Sequence, residues 1–137
     1  MARVFHKADA KQLNLPGRVS RQILSGETGS RCATLRMVEI APSGPGDSER
    51  GSHWHDSVEE CIYVLSGTGV TYADSGEFLL GRGDTILIPA GESHVTRNTG
   101  AEPLVLLCFF PSADIASSTH EEAPRVREKS GGPRDNS

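Results

Sequence analysis

The chain has 137 residues, 36% of them hydrophobic and 23% charged, which fits one domain with a single modest core and excludes a wholly disordered chain. Its 14 basic and 18 acidic residues leave a formal charge of −4, so it lacks the cationic excess that nucleic acid or an anionic membrane surface demands. No apolar run approaches the roughly 18 residues of a membrane span, Met1–Ala10 has no apolar stretch of the secretory kind after it, and Cys32, Cys61 and Cys108 form no CxxC pair, so reduced, half-buried thiols in a cytoplasmic protein are expected.

Fifteen glycines and eight prolines divide the chain into short segments, and no long helical period is present. Residues 1 to 17 are polar and end in the turn signal Leu15-Pro16-Gly17. Arg18–Leu24 reads as an edge strand, Ser25–Gly29 as a turn and Cys32–Ile40 as an alternating strand. Ala41–Gly51 is a loop of Pro, Gly and Ser. His53–Leu65 holds a short strand, an interruption and a second strand, closed by a tight turn at Ser66–Gly69. Val70–Ala73 and Glu77–Leu80 read as a hairpin around Asp74-Ser75-Gly76. Thr85–Ile88, His94–Asn98 and the apolar Leu104–Phe110 are the remaining strands. Beyond Pro111 the chain is polar and aperiodic and reads as a tail, disordered past about residue 120, with His120 a solvated side chain and not a metal contact. Short strands at this spacing predict an all-β sandwich or small barrel.

The chemistry concentrates on three of the five histidines. His53-Trp54-His55 places two imidazoles at i and i+2, which leave the same face of a strand. Glu60 follows five residues later, and His94 lies in a separate strand that must return beside the first pair. Three nitrogens and one carboxylate oxygen suit a borderline divalent ion, and an octahedral ion held this way keeps two positions for substrate or a small oxidant. Four protein ligands would instead close the tetrahedron of zinc.

These residues resemble the cupin superfamily. Its first motif reads here as His53-x-His55, four residues, Glu60, six residues, Gly67. Its second reads as Gly83, five residues, Pro89-x-Gly91, two residues, His94, three residues, Asn98, with every fixed position filled. One departure lies upstream, where Asp47 stands in place of a glycine six positions before His53. The resemblance spans about residues 30 to 111 and implies an antiparallel jelly-roll β-barrel, with an N-terminal segment (1–29) before it and a polar tail (112–137) after it. It implies His53, His55, Glu60 and His94 as ligands of one divalent transition metal ion, Fe2+ first, with Mn2+, Ni2+ or Cu2+ also suited. Gly67 and Gly83 fit positive φ in tight turns, Pro89 ends a strand, and Asn98 suits a loop cap.

Alternation sorts the neighbours. If Glu60 points inward, Ile62 and Val64 follow it and form an apolar wall beside the ion. Cys61, Tyr63 and Leu65 then point outward and require cover from the N-terminal segment, a second subunit or both, which predicts a homodimer. Thr96 shares a face with His94 and is a candidate substrate contact; Arg36 is a candidate clamp for a substrate carboxylate, with Glu39 on the opposite face. Trp54 and Tyr72 read as packing residues, and Glu59 as the surface neighbour of Glu60.

The fold hosts many chemistries. The expected function is a metal-dependent enzyme acting on a small oxygen-rich molecule. A non-haem iron dioxygenase, with Glu60 as catalytic ligand and base, stands slightly ahead of a non-redox lyase, isomerase or decarboxylase. A binding module without turnover is the third reading. The expected partner is a small-molecule substrate, with no nucleic acid and no membrane.

Overall fold

Turn chemistry cuts the chain into extended segments too short to be stable except when paired in sheets. The computed structural model describes residues 1–44 and 50–122. Its strands are β1 (Lys11–Leu13), β2 (Val19–Leu24), β3 (Thr34–Ile40), β4 (His53–His55), β5 (Glu60–Ser66), β6 (Thr68–Ala73), β7 (Gly76–Gly81), β8 (Thr85–Ile88), β9 (His94–Asn98), β10 (Leu104–Phe110) and β11 (Thr119–Glu121). They build two antiparallel sheets, in the orders β1-β2-β3-β10-β5-β8 and β11-β4-β9-β6-β7. Two such sheets packed face to face are the expected jelly roll.

β10 shows how the core forms. Leu104, Leu106, Cys108 and Phe110 are buried, and Val105, Leu107 and Phe109 lie on the other face. With Val38, Ile40, Ile62, Val64, Leu80, Ile88 and Ile115 they form one apolar cluster between the sheets. Each fully buried side chain of this size contributes about 1.5–3 kcal/mol. The turn between β5 and β6 narrows to Gly67, at φ +89°, where a Cβ would stand 2.6 Å from the Pro103 carbonyl oxygen. Only glycine meets both demands.

Three expectations need correction. Arg18–Leu24 is not an edge: β2 runs between β3 and β1, and β1 escaped notice because three polar, barely buried residues leave no alternation. The polar segment after Pro111 stays on the barrel through residue 122: Ile115 is 2% exposed, and β11 pairs with β4 in register His120↔Trp54. His120 is exposed, as expected, but it sits on a strand and not on a tail. It stacks on Trp54 at 5.4 Å and lies 2.6 Å from Asp56 Oδ2. Finally, β1 and β2 extend the sheet sideways and do not cover the outer face of β5, where Tyr63 and Leu65 remain 42% and 36% exposed. The expected disorder of the final residues and the departure at Asp47 lie outside the described residues. No helix of the described residues is long and apolar enough to cross a membrane.

Candidate metal centre

β4 is three residues long, and alternation makes it a two-imidazole unit, with His53 and His55 on one face and Trp54 on the other. β9 lies beside it with His94 opposite His53. A glycine turn fixes this approach: the Gly91 amide donates to the His55 carbonyl oxygen at 2.7 Å. Glu60 opens β5 in the other sheet, so the cluster bridges the two layers. One ligand-type atom from each of His53, His55, Glu60 and His94 lies within 4.8 Å of the other three. His55, Glu60 and His94 are buried, and His53 is half-buried at the cavity wall.

Hydrogen bonds behind the rings settle their orientation. His55 Nδ1 stands 2.9 Å from Thr119 Oγ1, and that hydroxyl donates to the Ile115 carbonyl oxygen at 2.7 Å. The hydroxyl's single proton is thus used, so its oxygen accepts from Nδ1–H. His94 Nδ1 stands 3.0 Å from the Glu92 carbonyl oxygen, which can only accept. Both rings therefore carry a proton on Nδ1 and turn Nε2 to the centre. His55 Nε2 is buried and makes no hydrogen bond, at 3.4 Å from Glu60 Oε1. A buried lone pair without a donor, facing a carboxylate and two more imidazoles, fits a divalent transition metal ion.

The electrostatics agree. Burial raises the Glu60 carboxyl, but the imidazoles of His55 and His94 more than reverse this and hold it well below the ordinary carboxylate range. Burial, aided by repulsion from His94, pushes His53 down to about 3, so its ring is neutral near neutral pH. Burial also works against charge on His94, yet the hydrogen bond and charge of Glu60, 3.0 Å away, outweigh it and lift His94 above 6.5. Glu60 is thus supplied as an anion, as a ligand must be.

A cavity of about 90 Å³ opens beside these atoms. Ile62, Thr96 and Arg36 line it; Thr96 also bonds Thr71 through hydroxyls 2.7 Å apart. Val64, expected on the same wall, is fully buried in the core and is not among the lining residues. It is two residues, about 6.6 Å, farther along the strand than Ile62. Glu59 and Glu39 are exposed, and Asn98 ties loops by donating to the carbonyls of Ile40 and Glu102 at 2.9 and 2.8 Å. Among the described residues no tyrosine lines the cavity, and Tyr63 faces solvent on the outer sheet face.

Sequence reasoning missed Arg18, Ser20, Cys108 and Glu121 on the cavity wall, and Thr119 behind His55. The strand holding Arg18 and Ser20 was legible, but its inward face depends on pairing with β3. Thr119 carried no local signal, because 64 residues separate it from the ring it holds. The three cysteines are not uniformly half-buried: Cys32 is exposed, Cys61 intermediate and Cys108 buried.

Comparisons with known proteins agree with this geometry. A family model described as a cupin domain matches residues 37–110. An uncharacterised protein of Methanocaldococcus jannaschii is 39% identical over 92 residues, 67% of this chain and 71% of that one. An oxalate-binding protein of Thermotoga maritima is 35% identical over 66 residues, 48% of this chain and 54% of that one, so the match spans about half its length. Among solved structures, an oxalate decarboxylase of Lactobacillus farciminis, in complex with formate, superposes with a TM-score of 0.72 at 26% identity, over 85% of this chain and 35% of that one. A nucleoside dehydratase of Streptomyces shares the fold with a TM-score of 0.72 at 16% identity, over 92% of this chain and 95% of that one.

Proposed function

Because the chain belongs to the cupin family, we propose that it holds one divalent transition metal ion with His53, His55, Glu60 and His94 and uses it to bind and turn over a small oxygen-rich carboxylate. The observation that carries this reading is the convergence of four buried or half-buried donor atoms within 4.8 Å, with two rings tied back through Nδ1. Fe2+ is the preferred ion, with Mn2+, Ni2+ or Cu2+ also matched to three imidazole nitrogens and a carboxylate. When bound, such an ion supplies Lewis acidity and, if iron, a path for electrons between a chelated substrate and oxygen.

The chain's own residues do the rest. Ile62 gives the cavity an apolar wall that limits water. Thr96 offers a hydroxyl to the substrate, and Arg36 offers a charged donor fork to a carboxylate. Glu60 is the carboxylate at the centre placed to carry a proton. Its low pKa favours the ligand role at rest and makes it a weak base. Lyase or isomerase chemistry that begins with proton abstraction would fall to Glu60, because among the described residues no tyrosine lines the cavity.

Two reactions have support of their own. Decarboxylation, in which carbon–carbon cleavage releases carbon dioxide and a proton returns to carbon, is supported by the oxalate decarboxylase and oxalate-binding relatives. Oxidative cleavage by a dioxygenase is supported by the donor set, which suits iron and oxygen. The same reading assigns a second copy of the chain to the outer face of the six-stranded sheet, where Tyr63, Leu87 and Phe109 are 42%, 57% and 40% exposed, and it assigns the free thiols to the reducing cytoplasm.

The test is metal-loaded protein given oxalate and short oxo-acids, with oxygen uptake and carbon dioxide release followed together. Carbon dioxide without oxygen uptake supports the decarboxylase, and stoichiometric uptake supports the dioxygenase. Binding without turnover makes the protein a binding module. Failure to take up any metal overturns the reading.

A further inference from the structure

The wall of the cavity facing β2 and β3 carries chemistry that the metal centre does not use. Ser20 is 1% exposed, lines the cavity, and its Oγ has no hydrogen-bond partner. Arg18, two residues earlier, lines the same cavity and donates from Nη1 to the Pro16 carbonyl oxygen at 2.9 Å. Arg36 on β3 donates from Nε to Gln22 Oε1 at 3.0 Å and lies over the Phe110 ring at 5.7 Å. No carboxylate of the described residues forms an ion pair with either guanidinium. Arg18, Ser20 and Arg36 line the same cavity as His53, His55, Glu60 and His94.

Around the cavity the charges of Arg18 and Arg36 balance the two carboxylates Glu60 and Glu121, and a divalent ion makes the balance positive. Burial lowers the pKa of both Arg18 and Arg36, as expected of guanidinium groups whose desolvation is not fully matched by acidic neighbours. An anion with several acceptor oxygens would satisfy both forks and the Ser20 hydroxyl together. A cavity of about 90 Å³ suits an anion of a few heavy atoms, well below the roughly 300 Å³ of pockets for drug-sized ligands.

We infer that Arg18, Ser20 and Arg36 form a second anchoring point for carboxylate, so that the ligand is a short dicarboxylate held between the metal centre and these three side chains. This rests on the metal-dependent reading above and adds to it a substrate with two acidic ends. Ser20 reads the distal carboxylate by donating its hydroxyl proton; Arg18 and Arg36 neutralise it.

Calorimetry on the full chain tests this in two stages. Mn2+ is titrated first. The Mn2+-loaded protein is then titrated with acetate, oxalate, malonate and succinate, beside Ser20→Ala, Arg36→Met and Arg18→Met. One dicarboxylate length is expected to bind at least about tenfold more tightly than acetate, and each variant to lose at least about tenfold of that affinity, the scale of a hydrogen bond to a charged group. Mn2+ affinity should not fall in any variant, and retained Mn2+ binding also certifies that each variant is folded. If one variant fails to fold, the remaining ones still decide, because Ser20→Ala removes only a hydroxyl. Equal dicarboxylate affinity in wild type and folded variants overturns the inference, as does Mn2+ binding with no preference for any dicarboxylate over acetate. No Mn2+ binding at all overturns the metal reading and this inference with it.

Discussion

The two ends of the cavity are built by different means. At the metal end, His55 and His94 are locked from behind by Thr119 and the Glu92 carbonyl, and the four donor atoms already converge. At the arginine end, long side chains reach in from β3 and from the residue just before β2, and a buried hydroxyl has no partner. The first arrangement is rigid and suits an ion with short bonds of fixed length. The second is charged and adaptable and suits an anion that completes it. A substitution at the arginine end should therefore weaken anion binding without weakening metal binding, and each prediction below attacks or sharpens that difference.

The largest effect belongs to the metal end. His94→Ala removes one of four ligands and leaves Glu60 without its 3.0 Å partner, so metal affinity should fall by more than about a hundredfold. Elemental analysis of protein purified without chelator, beside the variant, checks this. Retention of a full equivalent of metal by His94→Ala would remove His94 from the ligand set.

Next comes the support behind the ring. Thr119→Val keeps the shape of the side chain but removes the acceptor that holds His55 Nδ1–H. Metal affinity should drop about 10- to 100-fold, the usual cost of losing such a second contact, and Thr119→Ser should restore it. A drop that Ser does not rescue would mark Thr119 as a packing residue only.

A pH series separates the two ends by sign. The metal must displace the proton shared by His94 and Glu60, and the His94 pKa is raised above 6.5. Metal affinity should therefore fall with decreasing pH, beginning above 6.5, by about tenfold per unit for one displaced proton. His53, at about 3, adds no competing proton until the solution is strongly acidic. The arginines do not titrate in this range. Occupancy that stays flat from about pH 8 to 5 at limiting metal would contradict a three-histidine centre.

The smallest expected effect lies outside both ends. His120 pairs with Asp56 at the surface, with side chains 44% and 53% exposed. His120→Ala should cost no more than about 1 kcal/mol in a denaturant melt, because exposed ion pairs contribute little. A larger loss would show that β11 depends on this clasp, and metal affinity should then fall with it through Thr119.

Much of the metal end is legible from residues near one another in sequence. His53-x-His55 projects two rings from one face of any strand, and the alternation of β5 carries Glu60 inward with Ile62. Gly67 and Gly83 at φ +89° and +90° mark turns that any reader of the chain would place. The arginine end and the clasp behind His55 are not legible in that way. Arg18-Val19-Ser20 alternates clearly, yet which face is inward is decided only when β2 pairs with β3 and packs over the opposite sheet. Thr119 sits in a segment whose composition reads as a tail, since a three-residue edge strand with exposed side chains has no apolar period to show.

The sequence alone therefore determined the fold class, the strands from β2 to β10 and the four residues with ligand chemistry, because turn residues, alternation and imidazole spacing act over a few residues. Tertiary structure alone decided that these four meet in one place, that Val64 recedes into the core while Ile62 faces the cavity, and that Ser20 and two arginines share that cavity with them. Sheet order brings β10 between β3 and β5, and β11 onto β4, across separations as long as 76 residues, from Thr34 to Phe110. Closing such loops costs an entropy that depends on length and hardly on which residues lie between, so nothing in the local pattern records which strands will pair.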